Sequence, residues 1–138
     1  MTKTLLIASL LATGTFAANA EIATYAIDPS HTFVTFEANH FGTSTLRGRF
    51  DKKDGLVTLD KAGKSGKAEI TIDATSVSTG VAPLDTHLKS KDFFNAAEFG
   101  SAKFTADKFA FSGDKVSEVA GTLTLLGKTQ PEIGRAHV

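Results

Sequence analysis

Apolar and polar residues alternate along most of the chain after residue 20, with a period of two rather than 3.6. Over 32–40 the chain reads Thr-Phe-Val-Thr-Phe-Glu-Ala-Asn-His, which puts Val34, Phe36 and Ala38 on one face and Thr35, Glu37 and Asn39 on the other. Alternation of this kind marks a half-buried strand. Residues 45–51 repeat it, with Leu46, Gly48 and Phe50 opposite Arg47, Arg49 and Asp51. So do residues 68–75, where Ala68, Ile70, Ile72 and Ala74 oppose Glu69, Thr71, Asp73 and Thr75. Segments 56–60, 102–111 and 116–126 bring the set to about six predicted strands. Asp54-Gly55 and Gly113-Asp114 read as turns between neighbours. Residues 83–97 break the pattern: Leu84, Leu88 and Phe93-Phe94 stand at roughly helical spacing, predicting a short helix over 84–90 begun after Pro83. The fold class is all-β: an antiparallel sheet with one wet and one apolar face, stacked as a sandwich or curled towards a barrel that the helix caps.

Both ends stand outside this pattern. Residues 1–20 read as a cleaved secretory signal, with Lys3, an apolar stretch over 5–12, and a small-residue cleavage site at Ala18-Asn19-Ala20. The apolar run is broken by Thr13, Gly14 and Thr15, too early for a membrane span of about 20 residues. The mature chain is expected to begin at Glu21 and to be exported, most simply to a bacterial periplasm. Residues 132–138, Glu-Ile-Gly-Arg-Ala-His-Val, are what GAG-ATC-GGA-AGA-GCA-CAC-GTC encodes, and from its second base that string resembles a common synthetic sequencing adapter. The expectation is a non-native tail over 132–138 and one domain over 21–131.

Composition narrows the function. Fifteen Lys and Arg cancel fifteen Asp and Glu, so no global field would draw in nucleic acid or an anionic membrane. The absence of cysteine excludes a disulfide scaffold, a thiol nucleophile and every cysteine-ligated metal site. Eleven Phe against one Tyr supply large apolar surface with no polar handle, as a greasy core or cavity requires.

Little points to catalysis. His31 and His40 are nine residues apart, so a continuous strand turns them to opposite sides. They read as structural histidines rather than metal ligands. Asp85 and His87 are placed to form a carboxylate–imidazole pair. No Gly-x-Ser-x-Gly elbow, Walker loop or Rossmann glycine pattern is present. Arg47 and Arg49 share a polar face and read as a solvated pair, able to meet an anionic headgroup only near a barrel rim.

Several blocks together resemble the YceI-like family. They are Tyr25-Ala26-Ile27-Asp28-Pro29-Ser30-His31 followed by Phe36, His40, Gly42 and Gly48-Arg49-Phe50; then Asp73-Ala74-Thr75-Ser76-Val77; then Asp85-Thr86-His87-Leu88-Lys89-Ser90-Lys91-Asp92-Phe93-Phe94; then Gly121-Thr122-Leu123-Thr124-Leu125-Leu126-Gly127-Lys128-Thr129-Gln130-Pro131. The resemblance implies a periplasmic, lipocalin-like antiparallel β-barrel enclosing an elongated apolar pocket for a polyisoprenoid chain, of an isoprenoid quinone or a polyprenyl phosphate. It implies no catalysis of its own. Leu84 stands where the family often has arginine. Family members also continue for several dozen residues past the position of Pro131, so the barrel is expected to be incomplete here.

Pattern and resemblance converge on a pocket lined by Val34, Phe36, Leu46, Phe50, Ile70, Ile72, Leu88, Phe94, Phe104 and Leu123. His31, His40, Arg49 and His87 are the candidates for a headgroup or rim. The ligand is the lipid itself, with no other cofactor and no metal. Transient contact with a membrane or a membrane redox protein would accompany a carrier. The other functions considered are an accessory role in periplasmic stress or quinone-linked electron transport, and an enzyme acting on a polyprenyl lipid.

Overall fold

The computed structural model of the chain describes residues 22–135. The signal expected over 1–20 and the last three residues of the expected tail lie outside the described residues. Among those described are nine strands and one α-helix: β1 (Ala23–Ala26), β2 (Val34–His40), β3 (Ser44–Phe50), β4 (Lys53–Asp60), β5 (Ser65–Asp73), β6 (Val77–Ser78), α1 (Ala82–Leu88), β7 (Ser101–Ser112), β8 (Lys115–Leu125) and β9 (Lys128–Arg135). A 3₁₀ turn, Ala74–Ser76, joins β5 to β6. Every strand pairing is antiparallel. One sheet runs β1-β4-β5-β7-β8-β9 and the other β2-β3-β6, and neither closes into a barrel.

The six predicted strands are all present, and three more join them. β1, β6 and β9 lack the alternation that marks burial. β9 reads Lys-Thr-Gln-Pro-Glu-Ile-Gly-Arg and is exposed throughout. Pairing with β8, from Leu125↔Lys128 to Glu118↔Arg135, makes it a strand, and Pro131 is tolerated on such an edge. Residues 132–135 of the expected tail form its far half.

Gly113 turns the chain between β7 and β8 at φ +61°. Asp54-Gly55 does not turn it, and both residues lie inside β4. Gly55 serves close approach instead: a Cβ there would strike the Glu69 carbonyl oxygen and stand 2.9 Å from Ile70 Cα on β5. The change of direction comes at Asp51 and Lys52, where the chain passes from one sheet to the other. Asp51 N–H donates to Ser76 O (3.1 Å), Lys52 N–H to Ser76 Oγ (2.9 Å), and Asp73 N–H to Lys52 O (3.0 Å). The crossing is thereby stitched to the 3₁₀ turn.

The core sits where this crossing, β6 and α1 meet the six-stranded sheet. Phe50, Ile72, Val77, Leu88 and Ala102 are buried together, with Val34, Phe36, Ile70, Leu84, Phe94 and Leu125 packed around them. Phe36, Phe50 and Phe94 form a triad with centroids 5.2–5.7 Å apart and inclined rings, the arrangement that aromatic quadrupoles favour. Along the same face of the large sheet, Ile70, Phe104 and Leu123 lie in cross-strand register, beside Ala68, Ala106 and Gly121. The opposite face is polar and carries Thr24–Thr58, Thr105–Thr122 and Thr124–Thr129 hydroxyl pairs at 2.8–3.1 Å.

Candidate functional site

The β2–β3 hairpin carries the site because its register keeps even-numbered residues on the inward face. Val34↔Phe50 and Phe36↔Gly48 belong to the core, Ala38↔Leu46 is the next step outward, and His40↔Ser44 is the last before the turn. Gly48 leaves room for the Phe36 ring, which lies where a Cβ at 48 would be. Helix α1 runs alongside. Pro83 in its first turn fits a position whose N–H has no partner in the helix. The i, i+4 spacing of Leu84 and Leu88 puts both on the side that meets the hairpin.

Between hairpin and helix lies a cleft of about 470 Å³. Its apolar walls are Ala38, Leu46, Leu84, Leu88 and Phe93, and its polar atoms come from Asn39, His40, Ser44, Thr45 and His87. No carboxylate lines it. Each histidine rests edge-on against a phenylalanine, His40 on Phe41 (4.7 Å between centroids) and His87 on Phe93 (4.9 Å). The cleft falls within the 300–1,000 Å³ usual for small-molecule sites, and its mix of apolar wall and few polar groups is the usual one.

Asp85 holds α1 in place. Its Oδ1 accepts both the N–H and the hydroxyl of Thr79, each at 2.7 Å. These bonds, the hydroxyl first, hold the carboxyl below the ordinary aspartate range. Asp85 therefore clasps the helix to the segment after β6 and does not pair with His87, because Thr79 presents two donors on a fixed backbone.

The residues picked out in the sequence divide into groups. Val34, Phe36, Phe50, Ile70, Ile72, Leu88 and Phe94 come together in the core, with Leu88 also lining the cleft. Leu46, His40 and His87 line the cleft. Phe104 and Leu123 extend the apolar face of the large sheet and are half-buried. His31 and Arg49 lie elsewhere. His31 Nδ1 sits 2.7 Å from Asp28 Oδ2 in the turn after β1, and Asp28 is drawn down to about 2 by the Ser30 hydroxyl and then His31. Arg49 points from the outer face and pairs with Asp51 (2.7 Å), beside Arg47 paired with Glu37 (2.7 Å). A second, polar groove of about 400 Å³ lies there, against Ser78, Thr79 and Gly80. Ala38, Asn39, Ser44, Thr45, Leu84 and Phe93 line the cleft without being among the site residues expected from the sequence. Strand alternation is the signal available for Ala38, and helical spacing for Leu84 and Phe93. Among the described residues, no group of three or more His, Cys, Asp or Glu is placed to hold a metal ion.

Comparison with known proteins adds to this geometry. Residues 25–137 match the family described as the YceI-like domain. Protein YceI of Escherichia coli O157:H7 is 41% identical over 118 residues, covering 83% of this chain and 61% of that protein. The crystal structure of Burkholderia cenocepacia BcnA superposes with a TM-score of 0.67 at 26% identity, covering 78% of this chain and 67% of that one. A polyisoprenoid binding domain from Saccharophagus degradans, implicated in plant cell wall breakdown, superposes with a TM-score of 0.50 at 23% identity, covering 80% and 59%. The chain thus spans about three fifths to two thirds of the length of these relatives.

Proposed function

The chain belongs to the YceI-like family, and from that premise we propose that it binds and carries a polyisoprenoid lipid, seated by one end of its apolar chain in the cleft between the β2–β3 hairpin and α1. The observation that carries this reading is the cleft itself: aliphatic and aromatic walls, two histidines at its edge, and no carboxylate. The structural likeness to a protein described as a polyisoprenoid binding domain lends support. Each methylene removed from water contributes about 0.8 kcal/mol, so even two or three isoprene units offer ample gross driving force against the loss of chain freedom. His40 and His87 present imidazole nitrogens to a polar headgroup, of a quinone or a polyprenyl phosphate, and the site is one for binding rather than for chemistry. Export through the 1–20 signal would put the carrier in the periplasm, where such lipids face water.

Solution uptake tests the proposal. A short isoprenoid quinone delivered from cyclodextrin should bind the purified chain, and Leu46→Lys should abolish uptake while the circular dichroism of the sheet persists. A folded protein that takes up no isoprenoid, or a Leu46→Lys variant that binds as well as the parent, would refute it.

A further inference from the structure

The cleft has two walls, and they belong to different bodies. One is the β2–β3 hairpin. The other is 81–99, which holds α1 and the loop after it and supplies Leu84, His87, Leu88 and Phe93. Within 81–99 the backbone is bonded to itself: Lys89 N–H donates to Asp85 O (3.2 Å), Phe94 N–H to Leu88 O (2.9 Å), Ala96 N–H to Lys89 O (3.0 Å) and Phe99 N–H to Asn95 O (2.9 Å). Among the described residues, the hydrogen bonds that leave this stretch all go to Thr79: the two that Asp85 accepts, and one from Val81 N–H to Thr79 Oγ1 (3.3 Å). None crosses the cleft to the hairpin. Lys89 is within electrostatic reach of Asp73 but is not bonded to it. The remaining hold is apolar, with Phe94 edge-on to Phe36 and Phe50 (5.5 and 5.2 Å) and Leu88 in the core. Apolar contact is non-directional, so it tolerates rotation of one body against the other.

Both ends of 81–99 leave the body at the 3₁₀ turn. Gly100 O accepts the Ala74 N–H (3.0 Å), and Gly80 stands two residues past β6, which follows the turn directly. Gly80 is left-handed (φ +81°), and a Cβ there would meet nothing within 4 Å; one at Gly100 would touch only Ala96 O, at 3.5 Å. Neither position is wedged by the sheets, so the backbone is free to turn there, as a hinge requires. Each wall also carries an imidazole, His40 on the hairpin and His87 in the last turn of α1, and neither ring is hydrogen-bonded among the described residues. We propose that 81–99 is a lid that pivots at Gly80 and Gly100, opening the cleft to admit the lipid and closing when a headgroup joins His87 to His40. The lid rests on the reading of the cleft as a lipid site. The Asp85–Thr79 bonds lie beside the pivot and limit the swing.

The chain has no cysteine, so pairs of introduced cysteines carry spin labels at known places. Lys91→Cys on the lid with Thr35→Cys on β2 reports the swing, and Ala82→Cys with Lys91→Cys, both exposed on the lid, reports whether it moves as one body. Pulsed electron resonance on the lipid-free protein should give two distances for the first pair and one for the second. Saturation with a short isoprenoid quinone from cyclodextrin should deplete the longer distance about fivefold or more, and Asp85→Ala should enrich it in the lipid-free protein. His87→Ala should bind the quinone more weakly and keep the longer distance at saturation. A single distance for the first pair that neither bound quinone nor Asp85→Ala alters would overturn the lid, as would a second pair that broadens with the first. Normal closure in His87→Ala would overturn the histidine bridge. Two distances in a protein that binds no quinone would leave the lid standing and refute the cargo.

Discussion

Gly55→Ala tests how tightly the large sheet is built around its glycines. Gly55 pairs with Ile70 across β4 and β5, and an added Cβ would strike the Glu69 carbonyl oxygen, stand 2.9 Å from Ile70 Cα, and lie 3.1 Å from Ile70 Cγ1. Real Cβ atoms essentially never come within 3.0 Å of a heavy atom outside their own residue and its chain neighbours, and two of these obstacles are backbone, which cannot swing aside. The two strands must part locally, an overpacking strain of about 1–3 kcal/mol. Against this, alanine narrows the unfolded ensemble and gains about 0.5–1 kcal/mol. The steric effect wins, by about 1–2 kcal/mol. At about 3–6 °C per kcal/mol for a domain of this size, the melting temperature should fall by roughly 3–12 °C. Gly100→Ala is the control: its Cβ would lie 3.5 Å from Ala96 O, ordinary contact, so only the favourable entropy remains and stability should hold or rise by up to about 1 kcal/mol. Thermal unfolding followed by circular dichroism measures both. Equal melting temperatures for Gly55→Ala and the parent would refute the close-approach role of Gly55.

Phe50→Ala removes the central ring of the triad, which is 8% exposed and packed on Phe36 and Phe94, and should cost about 3–5 kcal/mol in urea unfolding; a loss below about 1 kcal/mol would mean the triad is not the core. Asp85→Ala should speed amide exchange over α1 (Ala82–Leu88) and leave β5 and β7 unchanged, because only the helix depends on the Thr79 clasp. The clasp should also be acid-sensitive. The Asp85 carboxyl is held below its ordinary value of 3.8, chiefly by the Thr79 hydroxyl, so its contribution is complete above that value and fades as pH falls through the lowered one. Helix protection should therefore drop in the parent under strongly acidic conditions and not in Asp85→Ala; parallel profiles would show that the clasp does not hold the helix.

Much of the fold was legible because burial on one face leaves a period-two trace. The inward set Val34, Phe36, Ala38 and Leu46, Gly48, Phe50 was assigned to the correct faces, and the register that brings Leu46 opposite Ala38 follows once the hairpin closes. β9 carried no such trace, since hydrogen bonds to β8 define it and its side chains meet solvent. Asp54-Gly55 misled because a glycine needed for contact between strands and one needed for a turn look alike in a sequence. The site was legible as a set of apolar residues but not as a shape. Which of them fill the core and which line the cleft depends on how the crossing at Asp51 and Lys52 sets one sheet against the other, and that is fixed by bonds to Ser76 distant in sequence. The separation of Arg49 from His40 follows from strand parity, whereas the capture of Asp85 by Thr79 required the three-dimensional path after β6.

The most direct test of the account is the position of bound lipid. A photoreactive isoprenoid, loaded from cyclodextrin and cross-linked by light, should mark peptides 38–46 and 84–93 when mapped by mass spectrometry, since these supply the walls of the cleft. Cross-links confined to the polar groove at Arg47, Arg49 and Ser78, or spread over the exposed face of β9, would contradict the claim that the cleft between the β2–β3 hairpin and α1 holds the ligand.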